Sequence, residues 1–286
     1  MNETRQANNS FAGGIAVITG AGSGLGAAMA QRFAAQGMTV FALDIDGEGA
    51  EATARAIVEK GGRAFALALD VANREALMAA ARQVEEAAGH CSVLCANVGV
   101  QQFGAIGALS ENDWRWVLEV NVMGVINTVD AFLPLLRKAP DSRHVVITSS
   151  SAAYSPGIRM GAYTTSKYAV TGYAETLRLE LAEENIGVSI LFPAGMATRH
   201  LESSRKARPE ALGPSEMRRT DIDAMMQSRK IDMGSHVATA EHAPRHLLED
   251  LAANRRYIIT HGDCREAIGD NFEELLAAQA RPLDDL

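Results

Sequence analysis

Tyr163 and Lys167 stand four residues apart in the stretch Gly161–Val170. In a helix, residues with this spacing lie on one face, about 5–6 Å apart at Cβ. A lysine ammonium at that distance favours the phenolate and lowers the tyrosine pKa from its ordinary value of about 10. Such a tyrosine can exchange a proton with an alcohol or a carbonyl near neutral pH. The spacing alone is more typical of a surface pair, so the other motifs decide its meaning.

A glycine-rich segment, Gly20-Ala-Gly-Ser-Gly-Leu-Gly26, lies between a predicted strand and a predicted helix. The β-branched run Ile15–Thr19 predicts a buried strand, and Leu25, Met29 and Phe33 form one apolar stripe of a helix. In this context the loop's backbone N–H groups and the helix N-terminus favour a pyrophosphate ligand. The alternative is a tight turn that needs glycine for conformational reasons alone.

Asp44 ends the next predicted strand, Thr39–Asp44, 18 residues after Gly26. A carboxylate there can accept hydrogen bonds from an adenosine ribose and would repel a 2′-phosphate. Because no basic residue follows until Arg55, the sequence predicts NAD rather than NADP. Asp44 could instead cap the following helix, a role for which Asp46 is as good a candidate.

Strands and helices alternate along the rest of the chain. Further strands are predicted at 63–69, 92–96, 144–148, 187–193 and 256–260, with helices between them. This alternation predicts an α/β fold: one Rossmann-like domain over residues 11–286, with a doubly wound parallel sheet of about seven strands and helices on both faces. Residues 1–10 are predicted to be a disordered leader. Gly20, Asp44, Asp70 and Asn97 all fall at the carboxyl ends of strands, where such sheets bind ligands.

Two helical regions carry further candidates. The long helix from Ser110, a plausible N-cap, to about Leu136 contains Asn121, a poor residue for a helix interior. Asn121 is either a satisfied core amide or a side chain directed at a site. Trp114 and Trp116 are more typical of packing or subunit contact than of chemistry.

A polar, irregular segment at 199–235 is typical of a substrate lid with one or two short helices. Its basic residues Arg205, Lys206 and Arg208 are either solvated surface or a handle for an acidic substrate. For the wall of an apolar pocket, position in the chain suggests Phe103, Tyr154, Ile158 and Met160.

Composition excludes several classes of protein. The formal net charge of −8 argues against nucleic acid or an anionic membrane as a partner, and no stretch approaches about 18 consecutive apolar residues. Cys91, Cys95 and Cys264 match no zinc-site spacing, so no metal site is expected. Buried free thiols of this kind fit the reducing cytoplasm.

Together these motifs resemble the short-chain dehydrogenase/reductase family across about residues 12–280. The matching motifs are Thr19–Gly26, Asp70-Val71, Ala96-Asn-Val-Gly99, Asn121, Ser150, Tyr163-x-x-x-Lys167 and Pro193…Thr198. Ser150 is preferred to its serine neighbours because it lies 13 residues before Tyr163, which is the family's spacing. Pro193-Ala-Gly195 departs from the family's usual Pro-Gly and puts the backbone path there in doubt. Ala96-Asn97, where two asparagines are frequent, is a common variant.

The resemblance implies a role for each matching residue. Tyr163 would be the general acid/base, Lys167 would tune it and hold the nicotinamide ribose, Ser150 would bind the reacting oxygen, and Asn121 would anchor a water. The cofactor-binding set would be Gly20, Ser23, Gly24, Leu25, Gly26, Asp44, Asp70, Val71, Asn97, Gly99, Tyr163, Lys167 and Thr198. The resemblance also implies a homotetramer or homodimer built through the helices that carry Asn121 and Tyr163.

The expected activity is therefore NAD-dependent interconversion of a secondary alcohol and a ketone. A narrower resemblance is to a subgroup that includes lignin-type aryl Cα-dehydrogenases, which oxidise benzylic secondary alcohols with NAD. It lies in Pro193-Ala, in Ser203…Arg208-Pro209, and in Tyr257-Ile-Ile-Thr leading into Arg265 and the last helix. Two alternatives are an NADP-linked ketone reductase and a non-catalytic NAD-binding scaffold.

Overall fold

Seven parallel strands form one sheet. The computed structural model describes residues 11–213, 218–228, 237–262 and 265–278. The sheet strands are β1 (Ile15–Thr19), β2 (Thr39–Asp44), β3 (Arg63–Ala68), β4 (Val93–Ala96), β5 (His144–Thr148), β6 (Gly187–Phe192) and β9 (Tyr257–Ile259). Their order is β3-β2-β1-β4-β5-β6-β9, and all adjacent pairs are parallel. The predicted α/β sheet of about seven strands is confirmed.

The helices connect these strands and cover the sheet. They are α1 (Gly24–Ala34), α2 (Gly47–Glu59), α3 (Arg74–Ala88), α4 (Glu111–Leu118), α5 (Gly124–Lys138), α6 (Gly161–Leu181), α7 (His200–Ala207), α8 (Arg219–Ser228), α9 (Leu247–Ala252) and α10 (Arg265–Ala277). A short parallel pair, β7 (Gly195–Met196) and β8 (Val237–Ala238), lies outside the main sheet.

Both faces of the sheet are buried because neighbouring residues of each strand point to opposite sides. In β1, Ile15 and Val17 pack in the cluster that contains residues of α3, α5 and α6. Ala16 and Ile18 pack in the cluster that contains Met29 and Phe33 of α1. A strand covered on both faces reads as a continuous apolar run, as Ile15–Thr19 does.

The region predicted to be a lid contains two short helices, α7 and α8, as expected. Residues 214–217 and 229–235 of that region, the leader 1–10 and Cys264 lie outside the described residues. The helix expected at 243–251 begins later, at Leu247, because residues up to His246 form turns around Pro244, which has no N–H to donate.

The helical run Glu111–Lys138 is the segment of the described chain that is long and apolar enough to cross a membrane by length and composition. Its most apolar window is 56% buried within the fold. Val125, Val129 and Phe132 pack in the core cluster beneath the sheet. This is the pattern of a core helix.

Candidate active site

The glycine-rich loop is shaped so that side chains are excluded. A Cβ at Gly26 would lie 2.0 Å from the carbonyl oxygen of Gly20, and Gly20 itself has φ +69°. Gly24 also has a positive φ, +52°, and Ser23 before it makes no side-chain capping bond to α1. The loop therefore presents backbone N–H groups and the Ser23 hydroxyl at a helix N-terminus, which fits the pyrophosphate of a dinucleotide.

Asp44 faces this loop from the end of β2. Its Oδ2 accepts a hydrogen bond from Gly22 N at 2.8 Å, and its Oδ1 accepts one from Asp46 N at 2.9 Å. Burial raises the pKa of Asp44, while these two N–H donors oppose the rise. Asp46, through a bond from Gly49 N, caps α2 instead, so the helix-capping alternative for Asp44 is wrong.

Asn97 ties together the ends of three strands. Its Nδ2 donates to the Thr19 carbonyl at 3.2 Å, and its Oδ1 accepts from Thr148 Oγ1 at 3.0 Å. Its backbone N–H donates to Thr19 Oγ1 at 3.1 Å. The side chain of Asn97 thus holds β1, β4 and β5 in place below Gly20, and a cofactor would meet its exposed edge and backbone.

Lys167 and Tyr163 lie one turn apart on α6, as predicted. Lys167 Nζ lies 5.7 Å from the centre of the Tyr163 ring and donates to the Thr148 carbonyl at 3.0 Å. Burial lowers the pKa of Lys167 from 10.5 to about 8, so its ammonium remains charged at neutral pH. A Cβ at Gly99 would lie 3.3 Å from Nζ, so Gly99 leaves room beside this ammonium.

Asn121 sits in a π-helical turn, Glu119–Met123, between α4 and α5. Its Oδ1 accepts from Val100 N at 2.7 Å, and its Nδ2 donates to Val100 O and to Ser166 Oγ, both at 2.9 Å. The side chain is fully buried and does not line the cleft. Asn121 joins the loop after β4 to α6. The sequence left two alternatives for this side chain, and the structure supports the first, a core amide whose hydrogen bonds are satisfied.

The hydroxyls of Ser149 and Ser150, which follow β5, have different partners. Ser149 Oγ donates to the Lys167 carbonyl at 3.2 Å and lies 2.8 Å from Thr171 Oγ1. Ser150 Oγ accepts from Ala152 N at 3.2 Å, and within the described residues its own proton has no acceptor. Ser150 therefore has a donor available for a ligand oxygen, which supports its choice over Ser149.

The segment Pro193-Ala-Gly195, which differs from the family's usual Pro-Gly, is hydrogen-bonded on two sides. Ser151 N donates to the Pro193 carbonyl at 2.9 Å, and His261 Nε2 lies 2.7 Å from the Gly195 carbonyl. Ala194 Cβ faces Gly262, where even an added Cβ would remain 3.9 Å away. Alanine is thus accommodated after the proline. Thr198 follows and its methyl carbon approaches the glycine loop at Gly24.

One cavity of about 1530 Å³ unites these features. Its lining includes every predicted catalytic and cofactor-binding residue except Asn121, namely Gly20, Ser23, Gly24, Leu25, Gly26, Asp44, Asp70, Val71, Asn97, Gly99, Ser150, Tyr163, Lys167 and Thr198. The predicted residues are distant in sequence but meet at the carboxyl edge of the sheet.

An apolar chamber surrounds the Tyr163 ring. Its cluster contains Phe103, Ala152, Met160 and Met225, with Leu201, Ile222 and Met226 packed against them. Phe103 and Met160 were predicted correctly. Tyr154 packs in the main core against Phe192, and Ile158 is largely exposed and does not line the cavity, so those two predictions are wrong. The sequence predicted the lid that contains Leu201 and Met225 but did not single out either residue, because their place in the cluster with Tyr163 arises only on folding.

The three basic residues of the lid do not act as one cluster. Arg208 is buried: its Nη2 lies 2.8 Å from Asp113 Oδ1, and its guanidinium stacks over Trp116, 5.2 Å from the ring centre. Lys206 pairs with Glu202 on the surface. Arg208 thus fastens the lid to α4, whose Ser110–Asp113 capping box supplies the carboxylate.

Residues 14–209 match the family model described as short chain dehydrogenase. The chain belongs to the short-chain dehydrogenase family. A family member from Burkholderia phymatum, solved in complex with NAD, is 32% identical, with a TM-score of 0.85 over 96% of this chain and 99% of that one. A Cα-dehydrogenase from Sphingobium sp. is 29% identical over 93% of this chain and 86% of its own. A metagenomic short-chain oxidoreductase in complex with NADP is 34% identical, with a TM-score of 0.61 over 64% of this chain and 83% of that one. The fold, the cleft and these relatives identify an oxidoreductase of this family.

Proposed function

We propose that this protein is an NAD-dependent dehydrogenase that interconverts a secondary alcohol and a ketone. The observation that carries the proposal is that Tyr163, Lys167 and Ser150 line the same cavity as the glycine loop and Asp44. The cofactor, when bound, supplies the hydride acceptor, and the protein manages position and proton.

The acidic end of the cleft favours NAD. Asp44, Asp46 and Glu48 line it beside Ile45. A 2′-phosphate placed there would meet like charge and displace a carboxylate already bonded to Gly22 N. Since a relative of this chain was solved in complex with NADP, the preference of this chain for NAD needs its own test.

In the oxidative direction, Tyr163 as phenolate takes the hydroxyl proton of the substrate. Ser150 donates a hydrogen bond to the same oxygen and orients it. Lys167, charged at neutral pH and 5.7 Å from the Tyr163 ring centre, favours the phenolate. Asn121 keeps the loop after β4 against α6, so that these groups hold their positions.

Replacing Tyr163 by phenylalanine tests the proton step. The ring remains to fill the chamber, but the acid/base is lost, so kcat/KM for alcohol oxidation should fall at least about 100-fold. NAD binding, followed by titration, should change less than about twofold. Ile158→Val, at an exposed position outside the cavity, is the control. Turnover retained in Y163F would remove Tyr163 from the mechanism.

Cofactor preference is tested by titrating the wild-type protein with NAD and NADP. We expect NAD to bind at least about tenfold more tightly, since a tenfold ratio needs only about 1.4 kcal/mol and two like charges about 4 Å apart near a protein surface repel by more than that. Asp44→Ala should reduce the difference. Tighter binding of NADP would favour the ketone-reductase alternative, and saturable NAD binding without NADH formation across a broad alcohol panel would favour the scaffold alternative.

For the substrate we propose an aryl carbinol. The chamber of Phe103, Met160 and Met225 beside Tyr163 suits an aromatic ring, and methionine adapts to aromatic shapes. The similarity to a Cα-dehydrogenase points the same way. A panel of aryl carbinols, steroids and sugars with NAD, read as NADH absorbance, tests this choice. Preference for a steroid or a sugar would overturn it.

We also propose a homo-oligomer, a cytoplasmic location, and no nucleic-acid or membrane partner. The described thiols, Cys91 and Cys95, are free and buried, and burial raises the pKa of Cys91 to about 12, so it is protected from oxidation. Cell fractionation and the solution mass test location and assembly.

A further inference from the structure

His200 occupies the junction between the two halves of the cleft. It is the first residue of α7 and lines the same cavity as Tyr163 and Ser150. On one side of it in the chain, Thr198 approaches the glycine loop. On the other, Leu201 packs against the apolar chamber around Tyr163. His200 therefore stands where the cofactor half of the cleft meets the substrate half.

The backbone of His200 is fixed by a short hydrogen-bond chain. Ser204 Oγ donates to the His200 carbonyl at 2.7 Å and accepts from Gln101 N at 3.0 Å. The neighbouring residue Val100 is bonded to Asn121. The first turn of α7 is thus bonded to the loop after β4, which Asn121 holds in turn, so the backbone position of His200 is fixed against that loop.

The ring of His200 has free hydrogen-bonding capacity. Among the residues that the structure describes, no group bonds to either ring nitrogen. Burial and the nearby charge of Lys167 lower the pKa of His200 to about 4, so the ring is neutral at physiological pH. A neutral imidazole can donate from one nitrogen and accept at the other.

The surroundings define what this ring could bind. The chamber walls, including Phe103, Met160 and Met225, offer no hydrogen bond of comparable strength. Tyr163 and Ser150 are assigned to the reacting oxygen. A second oxygen on the substrate, close to the carbinol, would otherwise enter this apolar space without a partner, at a cost in free energy.

We propose that His200 is a substrate-recognition residue whose neutral ring hydrogen-bonds a second oxygen of the substrate beside the carbinol. The inference rests on the proposed alcohol dehydrogenase function. It names the substrate class more closely: an aryl carbinol that carries a further hydroxyl, ether or carbonyl oxygen near the reacting carbon.

The test compares 1-phenylethanol with 1-phenyl-1,2-ethanediol in wild type, His200→Phe and His200→Gln. Wild type should prefer the diol by about tenfold in kcat/KM, the worth of one good hydrogen bond. H200F should lose that preference, because its kcat/KM should fall about tenfold more for the diol than for 1-phenylethanol. H200Q, whose amide also donates and accepts, should retain most of the preference. His246→Gln, at an exposed histidine on the surface, is the matched control.

Three outcomes separate the possibilities. An unchanged diol preference in H200F, or equal loss on both alcohols, would overturn the role of His200 while leaving the dehydrogenase function intact. A weaker NAD affinity in H200F and H200Q, measured by titration, would assign His200 to the cofactor instead. Failure of wild type to oxidise any alcohol of the panel with NAD would overturn the proposed function itself.

Discussion

At the scale of single residues, the site contains ionisable groups whose surroundings change their chemistry. Lys167 is the clearest case, since it is buried and its Nζ donates a hydrogen bond to the Thr148 carbonyl. Desolvation lowers its pKa from 10.5 to about 8 without making it neutral at pH 7. The charge needed beside Tyr163 is therefore retained at a cost in stability.

That cost predicts a pH-dependent stability. Between about pH 8 and 10.5, the unfolded chain keeps the Lys167 proton while the folded chain has lost it, so stability from this group rises with pH. Below pH 8 the charged lysine destabilises the fold by about 3 kcal/mol. Between pH 7 and 10, the free energy of unfolding of wild type should therefore rise relative to that of Lys167→Met. Urea unfolding at several pH values measures both. Lys60→Met, on the surface, should show no such trend, and parallel pH profiles for wild type and K167M would contradict the prediction.

At the scale of elements, the π-helical turn explains why an asparagine stands inside a long helix. The extra residue in the turn Glu119–Met123 interrupts the regular hydrogen bonding, and π-bulges are frequent at functional sites. The Asn121 side chain hydrogen-bonds the backbone N–H and carbonyl of Val100, which would otherwise be buried without partners. The helical run α4–α5 is thereby fastened to both the β4 loop and α6.

Asn121→Ala should therefore be strongly destabilising. The substitution leaves the buried N–H and carbonyl of Val100 without hydrogen-bond partners and removes the bond to Ser166. The expected loss is about 2–4 kcal/mol of unfolding free energy. Urea unfolding measures the effect. Asn127→Ala is the matched control, because Asn127 is also buried on this run but its one side-chain bond to a described residue is 3.4 Å long, to the Val71 carbonyl. A loss in N121A no larger than that in N127A would show that the π turn holds without the amide.

At the scale of the whole molecule, the helices that carry the site also present apolar side chains outward. On α6, Tyr168 is 49% and Leu179 76% exposed, whereas the partly exposed Met123 lines the cavity. Tyr168 and Leu179 are eleven residues apart on α6, close to three full turns, so they share a face. The proposed oligomer would bury this face and support the back of the active site.

Leu179→Glu tests that arrangement. A buried charge without a partner is costly, so the variant should dissociate to a smaller species, with 30.5 kDa as the mass of the monomer. Light scattering after size-exclusion chromatography measures the mass. Val58→Glu, an exposed position on α2 at the other end of the sheet, should leave the mass unchanged. A wild type that is already monomeric, or an L179E variant of unchanged mass, would contradict this interface.

Much of the site was predictable because its signals are local. The glycine loop, the strand-end Asp44 and the Tyr163–Lys167 spacing each depend on neighbours within one turn or one strand, and the parallel sheet brings strand ends together by construction. The fold class followed from the same alternation. The two wrong predictions, Tyr154 and Ile158, were assigned to the pocket from their position in a loop. The spacing of apolar residues predicts side-chain direction in helices and strands, but it does not do so in loops.

The sequence by itself determined the family, the sheet and which residues meet at its edge, starting from Tyr163 and Lys167. Only the tertiary structure decided which side chains face the reacting centre. The burial of Arg208 against Asp113, the methionines of α8 in the chamber and the free ring of His200 all depend on contacts between segments far apart in the chain. Such contacts are set by packing of the whole molecule, and no local pattern of residue types encodes them.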